Sequence, residues 1–174
     1  MAKRNCEFIV VGVVFRGNRW LDGVICNLVE LSERDLISSI SRTIRRSRQY
    51  SQLHAIILAE QELFSDRELG QLAGRIRIPV IAILRRSSGT QSSTKVWPTI
   101  RYLELRVNDK HVPVLGVAIA KEEAERILAI ACNPPASVPE AVRVAELIAK
   151  QTRLFSSTYR RLEVHEKRAA SNAM

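Results

Sequence analysis

The sequence predicts an α/β fold in a single domain. Three observations point there: two Val- and Ile-rich runs joined by a glycine turn near the start, two continuous apolar runs at His54–Ala59 and Pro79–Leu84, and amphipathic stretches between and after them. Apolar runs without alternation suit strands covered on both faces, and their alternation with helical patterns suits parallel neighbours. In such a sheet the working residues usually follow the strand ends. At that place, after the first apolar run, the chain puts Ala59 and then Glu60.

Phe8–Phe15 and Trp20–Leu31 read as two antiparallel strands, with Arg16-Gly17-Asn18-Arg19 as the hairpin turn. Ser32-Glu33-Arg34-Asp35 then opens a helix: Ser32 can cap backbone amides, and Glu33 and Asp35 suit the positive end of the dipole. Leu36, Ile37, Ile40 and Ile44 make its apolar stripe. The helix is expected to run to about Tyr50, with Arg42, Arg45, Arg46 and Arg48 in its last turns. Those arginines suit the negative C-terminal dipole, and equally a nucleic-acid patch.

His54–Ala59 is the first buried strand. Ser65-Asp66-Arg67-Glu68 has capping-box spacing ahead of a helix faced by Leu69, Leu72 and Ile76, in which Gly70 and Gly74 are expected to allow close packing. Pro79–Leu84 is the next strand, leaving through the basic pair Arg85 and Arg86 into a polar, Ser-rich segment to Lys95 that is expected to be mobile. Ile100–Val107 and Val112–Ala118 flank the turn Asn108-Asp109-Lys110-His111 as a second hairpin. Pro113 argues that the returning strand lies at an edge or starts late.

Lys121–Cys132, with Ala124, Ile127, Leu128 and Ala131 on one face, is a helix that Asn133-Pro134-Pro135 stops. Ser137-Val138-Pro139-Glu140 starts the last helix, whose buried face is Ala141, Val144, Ala145 and Ile148. The domain spans residues 6–153, and 154–174 form a polar tail expected to be disordered unless a partner fixes it.

A chain of 174 residues, 46% hydrophobic, suffices for one core and is short for two. Its longest apolar runs fall far below the roughly 20 residues that span a bilayer. The start of the chain lacks a small-residue cleavage site, so the expected location is cytoplasmic, with no membrane partner. Cys6, Cys26 and Cys132 have no CxxC spacing and read as buried small hydrophobes. His54, His111 and His165 are singletons without a ligand partner in the pattern, and Trp20 and Trp97 read as core residues or as base-stacking platforms.

The charge is more pointed. Of 27 basic residues 21 are arginine, against 18 acidic ones, for a net +9. Arginine's planar fork pairs with phosphate through two bonds at once, so the surplus points to nucleic acid; the competing reading is a charge-laced surface of a heat-adapted protein.

Three segments, VVGVVFRGNRWLDGV, QLHAIILAE followed after a helix by IPVIAILRR, and VPEAVRVAELIA, resemble an archaeal protein family related to endonuclease V. The resemblance covers roughly Ile9 to Ala149 in the family's order. It implies a ribonuclease-H-like mixed sheet flanked by helices, whose enzymes hold magnesium or manganese with carboxylates at strand ends and activate water against a phosphodiester. Measured against that pattern, this chain departs in three places. The family's first strand, which ends in paired aspartates, has no counterpart. The Asp-Gly before the first helix is Ser32-Glu33, with Asp35 retained after it, and the strand that should end in Asp-Gly ends in Ala59-Glu60.

The leading expectation is therefore a non-catalytic, Arg-rich protein that binds nucleic acid, RNA or a ribonucleoprotein before DNA, with no metal cofactor. Contact candidates are Arg42, Arg45, Arg46, Arg48, Arg85, Arg86, Arg160, Arg161 and Arg168, then Arg16 and Arg19. The alternative is a divergent metal-dependent endonuclease using Glu60, Asp35 and Asp22. A further alternative follows from the missing strand, which is central in this fold: its loss leaves two sheet edges to be completed by a protein partner or a second copy.

Overall fold

The computed structural model describes residues 7–30, 36–59, 64–84 and 99–152. The chain opens with an antiparallel hairpin, β1 (Glu7–Arg16) and β2 (Trp20–Glu30). Gly17 closes its turn at φ +63°, a left-handed conformation that costs glycine nothing. Val14 faces Gly23 and Phe15 faces Leu21, so Asp22 is the extra residue of a bulge.

Helix α1 (Leu36–Arg46) follows, then a 3-10 turn at Tyr50–Gln52 and strand β3 (Ile56–Leu58). Helix α2 (Asp66–Ile76), β4 (Val80–Ile83), β5 (Ile100–Val107), β6 (Lys110–Val117) and α3 (Lys121–Ala131) come next, and residues 140–152 form α4. The main sheet has the order β3-β4-β6-β5, with β3 parallel to β4 and the other pairs antiparallel.

Period-2 alternation along β4 feeds two cores. Val80 and Ala82 join Ile37 and Ile40 of α1 and Leu69, Leu72 and Ile76 of α2 on one face, while Ile81 joins Leu105, Val114, Ala124 and Leu128 on the α3 face. Helices therefore cover both faces of a mixed sheet.

The hairpin is a separate two-stranded sheet among the described residues. Its contact with the body is made by side chains: Val10 packs on the α1/α2 cluster, Arg16 Nη2 donates to Gln52 Oε1 at 3.0 Å, and Asn18 Nδ2 donates to the Cys132 carbonyl at 3.1 Å. Among the described residues this separation leaves β3 with one hydrogen-bonded strand neighbour, β4.

Several local expectations hold. Ser65 caps α2 reciprocally: its hydroxyl accepts from the Glu68 amide, and its own amide donates to Glu68 Oε2 at 2.8 Å. The second hairpin also forms, but its turn is Asn108 and Asp109 alone, at φ of 48° and 61° with the left-handed twist such hairpins favour, so β6 begins at Lys110 rather than Val112.

Other expectations need correction. Helix α1 stops at Arg46 rather than Tyr50, because the Ser47 amide and hydroxyl both bond back to the Ile44 carbonyl, an i to i−3 closure that ends the α ladder. Strand β3 is half-buried rather than fully covered, as befits a strand with one sheet neighbour. Strand β6 is central, between β4 and β5, although it carries Pro113. The Pro113 carbonyl accepts from the Leu84 amide at 3.0 Å, one residue past the end of β4, so the missing N–H falls where that ladder stops.

Trp20 is 74% exposed, not core, and Cys26 is exposed, whereas Cys132 is buried. In α4 the buried residue is Val142, with Ala141, Val144, Ala145 and Ile148 only half-buried. Gly74 faces open space, so close packing does not explain it. Cys6, Trp97, His165, the segment from Arg85 to Lys95 and the 154–174 tail lie outside the described residues. No helix among the described residues is long and apolar enough to cross a membrane.

Two predictions follow from the packing. The Ser65 bonds hold the Glu68 carboxyl below its ordinary 4.5, so its contribution is fully present above that value and is lost as pH falls through the lower folded value. Ser65→Ala should cost about 1 kcal/mol at neutral pH in urea unfolding, a difference that shrinks in acid. Burial pushes the Cys132 thiol up to about 11, leaving it protonated near neutrality. Iodoacetamide at pH 8, read site by site by mass spectrometry, should label Cys26 in the native chain and Cys132 only after unfolding.

Candidate nucleic-acid interface

Helix α1 buries Ile37, Ile40 and Ser41, and it is tied to α2 by Arg75 Nη1, which donates to Ser38 Oγ at 2.5 Å. With that face committed to the core, Arg42, Arg45 and Arg46, at positions i, i+3 and i+4, stand exposed together, and Arg48 stands exposed in the turn beyond. None of these four has a carboxylate partner among the described residues.

Three other arginines are paired with carboxylates among the described residues. Arg16 pairs with Asp22 at 3.3 Å, Arg106 with Asp109 at 2.9 Å, and Arg143 with Glu140. The last pair holds the Glu140 carboxyl below its ordinary range and raises the Arg143 guanidinium. Arg19, Arg67, Arg77, Arg101 and Arg126 are likewise exposed without a carboxylate partner among the described residues, and what sets α1 apart is that its arginines share one helix face.

The hairpin tip lies against the chain that follows α1. A Cβ added at Gly23 would come within 2.7 Å of Gln49 Nε2, so glycine permits that approach, and Arg16 reaches Gln52. This docking has no signature in the sequence, since neither glutamine belongs to a motif.

The acidic candidates separate. Asp22 sits at the hairpin tip, engaged by Arg16, which also touches Gln52. Gln52 precedes β3, so Asp22 is at the end where the chain enters that strand, whereas Ala59 follows its exit. Ala59 is half-buried and offers no side-chain ligand. Glu60, Asp35, Glu33 and Glu62 lie outside the described residues, as do Arg85, Arg86, Arg160, Arg161 and Arg168. Among the described residues no three His, Cys, Asp or Glu side chains gather to hold a metal, so those residues do not fit one. His54 is exposed, and His111 Nδ1 is 3.8 Å from Glu104 Oε1.

A hairpin beside a mixed sheet with helices on both faces is the architecture of endonuclease V folds. Human ENDOV superposes with a TM-score of 0.56 at 12% identity, covering 89% of this chain and 87% of that one, and the Bacillus subtilis endonuclease V with 0.53 at 11%, covering 88% and 82%. A protein of unknown function from Archaeoglobus fulgidus gives 0.65 at 19%, covering 87% of this chain and 92% of that one. The family model of Endonuclease dU matches residues 1–153, and the chain belongs to that family. UPF0215 proteins are similar along most of their length: that of Methanosarcina acetivorans is 27% identical over 163 residues, 83% of each chain, and that of Methanothermobacter thermautotrophicus is 27% identical over 167 residues, 87% of this chain and 81% of the relative. The archaeal, endonuclease V-related resemblance read from the sequence agrees with these matches.

Proposed function

We propose that this chain is a non-catalytic nucleic-acid-binding member of its family, with RNA or a ribonucleoprotein as its ligand. The observation that carries the reading is the set Arg42, Arg45, Arg46 and Arg48, exposed and without a carboxylate partner among the described residues, in a chain where Arg16, Arg106 and Arg143 are held by carboxylates. Guanidinium groups left free of carboxylates can each neutralise a phosphate in a bidentate geometry and release a counterion. Such contacts position a backbone without reading bases, so the ligand is selected by class rather than by sequence.

The absence of catalysis is supported by Ala59 at the exit of β3 and by Asp22 at the opposite end, tied to Arg16. Membership in the Endonuclease dU family favours the second reading, a divergent metal-dependent endonuclease. Its remaining acids are Glu60 and Asp35, with magnesium or manganese. A third reading rests on the separation of the hairpin from β3. An extended strand from a protein partner or a second copy would complete the sheet across it, and light scattering that finds a monomer at all concentrations would remove the second-copy version.

Titration of a labelled RNA against potassium chloride should give a log–log slope of about −3, from roughly 0.7–0.9 per neutralised phosphate over the α1 arginines. Arg45→Ala with Arg46→Ala should reduce that slope by about 1.5, and affinity indifferent to salt would sink the reading. Incubation with uracil- and inosine-containing DNA and with structured RNA, each with magnesium or manganese, should leave every substrate intact. Cleavage that Glu60→Ala abolishes would install the endonuclease reading instead.

A further inference from the structure

We infer that the hairpin tip and the end of α1 form one site for single-stranded nucleic acid, in which Trp20 stacks on an unpaired base while Arg45, Arg46 and Arg48 hold the adjoining phosphates. The inference rests on the phosphate-binding reading of α1 and adds to it the part of the ligand that is recognised besides charge.

Trp20 is 74% exposed, and beside it Leu21 and Val24 are 51% and 48% exposed. Leu21 and Val24, cross-strand partners of Phe15 and Val13, turn to the other face of the hairpin. Single exposed apolar residues are ordinary on a protein surface, but an indole left three-quarters in water is the largest apolar side chain there and has a flat face free for a ligand. The surroundings say which. Trp20 is the cross-strand partner of Arg16 and follows Arg19, which is exposed and has no carboxylate partner among the described residues.

Gly23, about 10 Å along β2 from Trp20, is pressed against Gln49, the residue after Arg48. Arg16 fixes the same tip to Gln52. These contacts seat the end of the hairpin that carries the indole against the segment that follows α1, on the side of the molecule where Arg48 stands exposed. An apolar protein surface docking there would bury that charge without a partner, whereas a polyanion with flat apolar faces satisfies both halves.

The strandedness follows from the aromatic. A duplex keeps its base faces stacked inside, so a solvent-exposed ring finds no partner on it, while a single strand offers a base face at every nucleotide.

The test measures binding of dodecameric oligouridylate, dodecameric oligothymidylate and an RNA duplex of equal length by fluorescence anisotropy. Trp20→Ala should weaken both single strands by about 5- to 150-fold, leave the duplex unchanged and leave the salt slope unchanged, and Trp20→Phe should recover most of the loss. Arg45→Ala with Arg46→Ala should weaken all three ligands and lower the slope. Wild-type salt-dependent binding that Trp20→Ala does not alter would overturn the stacking site and leave the arginine reading standing. Failure of the wild type to bind any of the three would overturn both. If Trp20→Ala binds as wild type yet abolishes self-association in sedimentation, the tip is a protein contact and the inference fails.

Discussion

Burial of β4 on both faces is the constraint from which the architecture follows. Val80, Ile81 and Ala82 are wholly removed from solvent, and because a strand turns alternate side chains to opposite faces, a single apolar run demands cover on both. Helices α1 and α2 supply it over Val80 and Ala82, and α3 supplies it over Ile81. The orientation of α1 is set by this demand. Once Ile37 and Ile40 face the sheet, Arg42, Arg45 and Arg46 can only face water, and the charged surface is a by-product of how the core is closed.

The hairpin is held differently. No backbone ladder joins it to β3 among the described residues, and its position is determined by side chains at the tip and by Val10 on the α1/α2 cluster. The 3-10 turn at Tyr50–Gln52 takes part in that anchoring, since Tyr50 donates its hydroxyl to the Ile76 carbonyl at 2.6 Å and Gln52 receives Arg16. The segment that ends α1 is therefore fixed to α2 on one side and to the hairpin on the other. That arrangement ties the hairpin that carries the exposed Trp20 to the segment that ends α1.

The family and the fold belong to endonuclease relatives, and the surface charge of this chain suits the same class of ligand. In this chain Ala59 stands at the exit of β3 and Asp22, at the other end, is engaged by Arg16. Binding and cleavage make separable demands, because phosphate neutralisation needs only exposed guanidinium groups, while hydrolysis needs oxygen ligands converging on one point.

The sequence by itself determined what depends on neighbours in the chain. The Ser65 to Glu68 box, the existence of the β5–β6 hairpin, the Gly17 turn and the apolar runs of β3 and β4 are readable because their causes lie within a few residues. The arginine stripe on α1 was legible for the same reason, as a period of three to four residues. Tertiary structure alone decided the rest. Pro113 in a central strand depends on where β4 stops, and the half-burial of β3 depends on its having one strand neighbour. The exposure of Trp20 and the approach of Gly23 to Gln49 depend on where the hairpin docks. Each is settled by contacts between residues far apart in the chain, which local propensity and periodicity do not encode.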